Sequence, residues 1–190
     1  MHHYAWAFYC IIRVMSYLCT ITDEDVFKIP KFRKPDTFKK RITVKAIVRN
    51  SEGQFALVTN DVHGIYLLPG GGTETNNLED EISRECKEEI GYSIELSGEV
   101  GKTHEFRNRN AKEYFTTCYI AEVKNKLTED MRTAEEQKND LRVEWLDEDD
   151  VIRIFTKQKE AVRKGEVEFY NTAFNILRDG IFIEKYLLDR

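Results

Sequence analysis

Between Leu78 and Ile90 apolar residues return at helical intervals, with Ile82, Cys86 and Ile90 in one line, and this spacing predicts an amphipathic helix. On either side the period shortens to alternation or to brief apolar runs. These predict strands at Ile42 to Val48, Gln54 to Val58, Ile65 to Leu68, Lys102 to Phe106, Tyr114 to Val123 and Arg142 to Trp145. Asn50-Ser51-Glu52-Gly53 reads as a turn that joins the first two strands as a hairpin. Beyond Asp147 the pattern is helical again, with Val151, Ile152 and Phe155 on one segment and Tyr170, Ala173, Phe174, Leu177 and Ile181 on the last. Gly180 is expected to kink or end that last helix. Strands on both sides of one central helix predict an α/β fold, a sandwich around a mixed sheet. The final aromatic stripe is expected to pack on that sandwich, and its length also suits a homodimer contact.

A chain of 190 residues suits one domain with a substantial core. That domain is placed at residues 41–160, with an N-terminal extension at 1–40 and a C-terminal helical segment at 161–190. The extension is apolar from Tyr4 to Ile21, but Arg13 interrupts it and no small-residue cleavage site follows, which argues against a leader or a spanning helix. Lys31, Arg33, Lys34, Lys39, Lys40 and Arg41 come next, interleaved with Phe32 and Phe38. An added strand or helix with a solvated linker is the plain reading, and contact with an anionic membrane surface is the alternative. The net charge of −5 gives no broad positive field for long nucleic acid, so a small anionic substrate is the more natural partner. Cys10, Cys19, Cys86 and Cys118 have no paired zinc spacing and are too sparse for a disulfide scaffold, so a reducing cytoplasm is expected.

The central helix carries the chemistry. Glu85, Glu88 and Glu89 stand at i, i+3 and i+4 and would project from one face. Like charges so close are stable only with something positive among them, most simply a hard divalent cation that prefers oxygen ligands. A solvated acidic face is the bland alternative. Against it stand the apolar stripe beside the glutamates, the N-cap candidates Asn76 and Asn77, and Asp80 as a variant capping-box partner. Gly91 suits a left-handed C-cap, and the turn Pro69-Gly70-Gly71-Gly72 would let backbone approach a phosphate.

These residues resemble the Nudix box of the Nudix hydrolases, Gly-x5-Glu-x7-Arg-Glu-U-x-Glu-Glu-x-Gly-U with U apolar. Gly70, Arg84, Glu85, Cys86, Glu88, Glu89, Gly91 and Tyr92 fall on it in order, over a resemblance that covers about Arg41 to Ile154. Where the pattern has its first glutamate this chain has Asn76. In the family that glutamate is more a partner for the motif arginine than a principal ligand, so Glu81 or Glu74 is the expected substitute for pairing with Arg84. The resemblance implies a Nudix-type α/β/α sandwich and hydrolysis of a nucleoside diphosphate linked to another group, with Mg2+ or Mn2+ as the working ion. It implies Glu85, Glu88 and Glu89 as metal ligands, one of them positioning or deprotonating the water, and Arg84 as the residue that orients them. Gly70, Gly71 and Gly72 would form the turn on the phosphate side. The physical logic agrees, since divalent cations neutralise charge on diphosphate oxygens and make water a usable nucleophile near neutral pH.

Members of the family often recruit a further carboxylate from a later loop. Glu135, Glu136 and Asp140 are the candidates here, Glu136 first among them, and a solvated loop is the plain reading of the segment. Arg107, Asn108, Arg109, Asn110 and Lys112 form a basic loop that either meets phosphates or is a solvated hairpin tip. Tyr66, Phe106 and Tyr114 could stack on a base or fill core. A nucleotide-binding module with little turnover is the second functional reading, for which Asn76 speaks. A related isomerase of isoprenoid diphosphates is the third, and no additional Cys and Glu pair points to it. ADP-ribose, other nucleotide sugars, dinucleoside polyphosphates, oxidised nucleoside triphosphates and capped RNA all stay open as substrates.

Overall fold

The computed structural model describes residues 17–29, 32–59, 64–132, 137 and 141–190. Among them, strands β1 (Cys19–Ile21), β2 (Lys39–Arg49), β3 (Phe55–Thr59), β4 (Tyr92–Arg107), β5 (Lys112–Lys126) and β6 (Arg142–Leu146) form one sheet in the order β1-β4-β5-β2-β3-β6. The sheet is mixed: β1 with β4 and β2 with β5 are parallel, and the other neighbours are antiparallel. Four α-helices lie wholly among the described residues: α1 (Asp23–Val26), α2 (Leu78–Glu89), α3 (Glu148–Lys164) and α4 (Tyr170–Leu188).

Alternation along β2 decides which helix covers which face. Val44, Ala46 and Val48 meet Ile82, Cys86 and Ile90 of the α2 segment. Ile47 points the other way, into a core shared with Phe55, Leu57, Leu68, Val151 and Phe155 of α3, and Phe182 and Ile183 of α4. A third cluster joins Ile21 and Val26 to Val162, Phe174 and Ile176. The result is the expected α/β sandwich, with α2 against one face beside the glycine turn. Among the described residues no helix is long and apolar enough to cross a membrane.

Several elements differ from the sequence reading. Ile65 to Leu68 is not a strand, because only Leu67 bridges to Val58. The Tyr66 N–H and C=O are taken by the Gln158 side chain at 2.7 and 2.9 Å, the Leu68 N–H goes to Asp179, and Pro69 has no N–H. Strand β4 begins at Tyr92, ten positions before the predicted start, because β5 pairs with this polar, glycine-bearing stretch through register shifts. Gly180 neither kinks nor ends α4; a Cβ there would lie 2.8 Å from Lys159 Cδ, so the glycine admits α3 close against α4. Lys39, Lys40 and Arg41 begin β2 rather than ending a linker. The added strand of the N-terminal extension is β1, whereas residues 1–16, with Cys10 and Arg13, and Lys31 lie outside the described residues.

Candidate active site

Helix α2 forms because Ile82 and Cys86 are fully buried under it while its first turn carries Glu79, Asp80 and Glu81, where acidic side chains favour the helix dipole. Its end is as expected, with Gly91 at φ +72°. Its start is not. Asn77 makes no side-chain cap to the backbone; its amide donates to Asp80 Oδ2 at 2.5 Å instead.

On the flank of this helix Arg84 gathers the carboxylates. Its guanidinium donates to Glu81 Oε2 at 2.9 Å, Glu85 Oε1 at 2.7 Å and Glu88 Oε2 at 2.7 Å. Glu81, rather than Glu74, is therefore the residue that answers for the missing glutamate at Asn76, and it also accepts the Thr75 N–H at 2.8 Å. Arg84 and then Thr75 hold the Glu81 carboxyl down to about 2. Burial pushes Glu85 the other way, above the ordinary carboxylate range, against the pull of Arg84 and Lys45 and with help from the nearby Glu88 charge.

Glu89 is held by the turn. The Gly70 N–H donates to Glu89 Oε2 at 2.6 Å. Gly70 sits at φ +125°, and a Cβ there would lie 2.2 Å from the Val44 carbonyl oxygen, so only glycine fits. At Gly71 a Cβ would lie 2.7 Å from Glu85 Oε2. The glycines thus let backbone approach the protein's own carboxylates closely. Beneath the turn Lys45, buried in β2, donates to the Leu68 carbonyl at 2.7 Å and the Gly70 carbonyl at 2.5 Å.

Among the described residues no three acidic, His or Cys side chains converge as a ready-made ion cage. The positive charge among the glutamates here is Arg84, with Glu85 and Glu88 turned toward it. The donor set nevertheless fits Mg2+ or Mn2+: it is made of hard oxygens, and Glu85 Oε2 and Glu88 Oε1 accept no hydrogen bond among the described residues. A cavity of about 250 Å3 opens beside Glu88 and Glu89 and is also lined by Arg132 and Arg142.

The remaining sequence candidates do not all gather here. Glu135, Glu136 and Asp140 lie outside the described residues. Arg107 is not at a basic tip: it is buried, bonded to Glu105 Oε2 at 2.8 Å through Nε, with its guanidinium 4.1 Å from the Tyr114 ring centroid. An arginine so placed is held by the carboxylate two residues before it in β4, which a loop reading of the sequence overlooks. Phe106 packs on Phe38 and His104, and Tyr66 bonds Glu144, so the aromatic candidates are scattered. Cys86 is buried and its thiol is raised above its ordinary range by that burial, which fits a packing residue. Sequence reading missed Lys45 and Asp179; the signal was there, a lone charge inside the apolar run Ile42 to Val48 and the adjacent pair Arg178-Asp179 inside the run Phe174 to Ile183.

The sequence matches the NUDIX domain family over residues 39–170. Among solved structures, a NUDIX hydrolase from Nitrosomonas europaea is similar with a TM-score of 0.58 at 18% identity, over 80% of this chain and 90% of that one. A UDP-X diphosphatase is similar with a TM-score of 0.51 at 16% identity, over 82% of this chain and 67% of that one. At such identities the likeness is one of fold. No match was found among curated proteins.

Proposed function

The chain belongs to the Nudix family, and from that premise we propose that it hydrolyses a diphosphate linkage in a nucleoside diphosphate derivative, using Mg2+ or Mn2+ held by Glu85, Glu88 and Glu89. The observation that carries this reading is the joint constraint on the three glutamates: Arg84 orients Glu85 and Glu88, and the Gly70 amide orients Glu89. Such pre-set carboxylates suit a reaction in which the protein mainly positions ions, water and diphosphate. The ion, when bound, would neutralise diphosphate charge and acidify water.

The chain's own residues supply the rest. Burial favours the neutral form of Glu85, and Arg84 and Lys45 oppose it by favouring the ionised form in which the carboxylate could hold an ion. Arg132 and Arg142 line the cavity beside Glu88 and Glu89, paired with Asp130 and Glu144 respectively. Glu136 remains the proposed further carboxylate. Cys19, Cys86 and Cys118 are free thiols, which supports a reducing, cytoplasmic setting.

The test is hydrolysis with Mg2+ and with Mn2+ across a panel of nucleoside diphosphate derivatives, comparing the native chain with Glu89→Gln and identifying products by chromatography. Turnover of one compound that falls by orders of magnitude in the variant supports the assignment. Binding of a nucleotide without turnover with either ion would replace the enzyme by a nucleotide-binding module.

A further inference from the structure

The turn that holds Glu89 is itself held from the far end of the chain. Every backbone polar group from Leu68 to Gly70 has a protein partner. The Leu68 N–H donates to Asp179 Oδ2 at 3.0 Å, and the Leu68 carbonyl accepts from Lys45 Nζ at 2.7 Å. The Pro69 carbonyl accepts the Ala46 N–H at 3.1 Å, and proline has no N–H to place. The Gly70 carbonyl accepts from Lys45 Nζ at 2.5 Å, and the Gly70 N–H donates to Glu89. With every group committed, the direction of the Gly70 amide follows from where Asp179 and Lys45 stand.

Both of those side chains are charged and buried, Asp179 with no exposed surface and Lys45 at 6%. Asp179 is paired with Arg178 at 2.8 Å, and Arg178 in turn lies 3.5 Å from Glu105. Among the described residues Lys45 makes no salt bridge and has only the two carbonyls as hydrogen-bond partners. Burying such groups is costly, and apolar replacements of similar volume are often as stable or more so. Fixing the turn is what the geometry gains in exchange. Asp179 also lies in α4 beyond residue 170, where the family match ends.

We infer that Asp179 and Lys45 are positioning residues of the active site, and that α4 sets the Glu89 carboxylate through the path Asp179, Leu68, Gly70. This rests on the hydrolase reading for its consequence in rate, but its geometry stands apart from it. Loss of the Asp179 acceptor releases the Leu68 N–H, lets the turn relax, and leaves Glu89 without a fixed amide. Partners that orient a ligand typically matter by about 10- to 100-fold in metal affinity or activity.

The experiment uses the full chain, native and Asp179→Ala, first without metal. Amide NMR should show the Gly70 N–H shifted and exchanging faster in the variant, with the Gly53 N–H of the distant β2–β3 turn unchanged. Titration with Mn2+ alone should show affinity reduced by about 10-fold or more, and with a turned-over substrate kcat should fall while KM holds. Asp179→Asn, whose side-chain oxygen can still accept from Leu68, should recover most of the effect and serves if the alanine variant does not fold. An unchanged Gly70 amide and Mn2+ affinity in a folded Asp179→Ala chain, or an equal disturbance at Gly53, overturns the inference. Absence of turnover in the native chain would defeat the hydrolase reading while leaving the amide and Mn2+ results to decide this one.

Discussion

Glu81 and Arg84 stand one helical turn apart on α2 with Oε2 and Nη2 at 2.9 Å. The carboxyl is held at about 2 against an ordinary 4.5, first by Arg84 and then by Thr75. A folded value below the unfolded one means that the stabilisation is fully present above pH 4.5 and is lost as pH falls through about 2. Glu81→Gln should therefore melt at a lower temperature than the native chain near neutral pH, and the two melting curves should draw together as the pH approaches about 2. Thermal melts across that range check this, and a gap independent of pH would show that the pair does not stabilise through its charge.

Asn76 stands exposed where the family pattern has glutamate. Since Arg84 already has three carboxylate partners, Asn76→Glu should change kcat by no more than about twofold, as for other surface substitutions. A large gain in rate would mean that Glu81 is an inadequate substitute.

Glu85 presents a conflict between stability and function. Its carboxyl is raised by burial, so the folded metal-free chain binds its proton more tightly than the unfolded chain does. Ionised Glu85 therefore costs stability at neutral pH, and that cost fades as pH falls through the raised value toward the unfolded one. Glu85→Gln should raise the melting temperature of the metal-free chain near neutral pH while weakening Mn2+ binding. Calorimetry on both proteins reads the two effects; a variant that is less stable at neutral pH would show that the pairing with Arg84 outweighs the burial.

Adjacent glycines should separate folding from chemistry. Gly70→Ala drives a Cβ onto the Val44 carbonyl at a backbone angle alanine rarely adopts, for a loss of about 1–3 kcal/mol or more. Gly71→Ala meets the end of the Glu85 side chain, which can move. That variant should keep most of its stability, losing under about 1 kcal/mol, yet bind Mn2+ weakly because Glu85 is displaced. Denaturant unfolding and metal titration of the two variants distinguish these outcomes.

What could be read from the sequence was what local spacing controls. Ile82, Cys86 and Ile90 announced the helix and with it the shared flank of Glu85, Glu88 and Glu89, and Asn50 to Gly53 announced the β2–β3 turn. What could not be read depends on distant partners. The polar run from Tyr92 to Gly101 is a strand only because β5 lies beside it. Tyr66 and Leu68 spend their backbone groups on Gln158 and Asp179, more than ninety positions away, and so never enter a ladder. Arg107 looked like a loop cation because Glu105, Asn171 and Asn175 meet it only in the folded chain. The site itself was legible in its carboxylates and illegible in its supports, Lys45 and Asp179, whose charges look out of place until the turn above them is seen.

The two outer strands of the sheet are short: β1 has three residues, and β6 has five with Arg142 and Glu144 among them. A strand edge is an open row of peptide groups that invites another chain to extend the sheet, and brevity and charge both blunt that invitation. The long strands β5 and β2 are interior, and β1 pairs with Thr103 to Glu105 of β4. Short outer strands, one of them charged, thus blunt both margins of the sheet where they cover it.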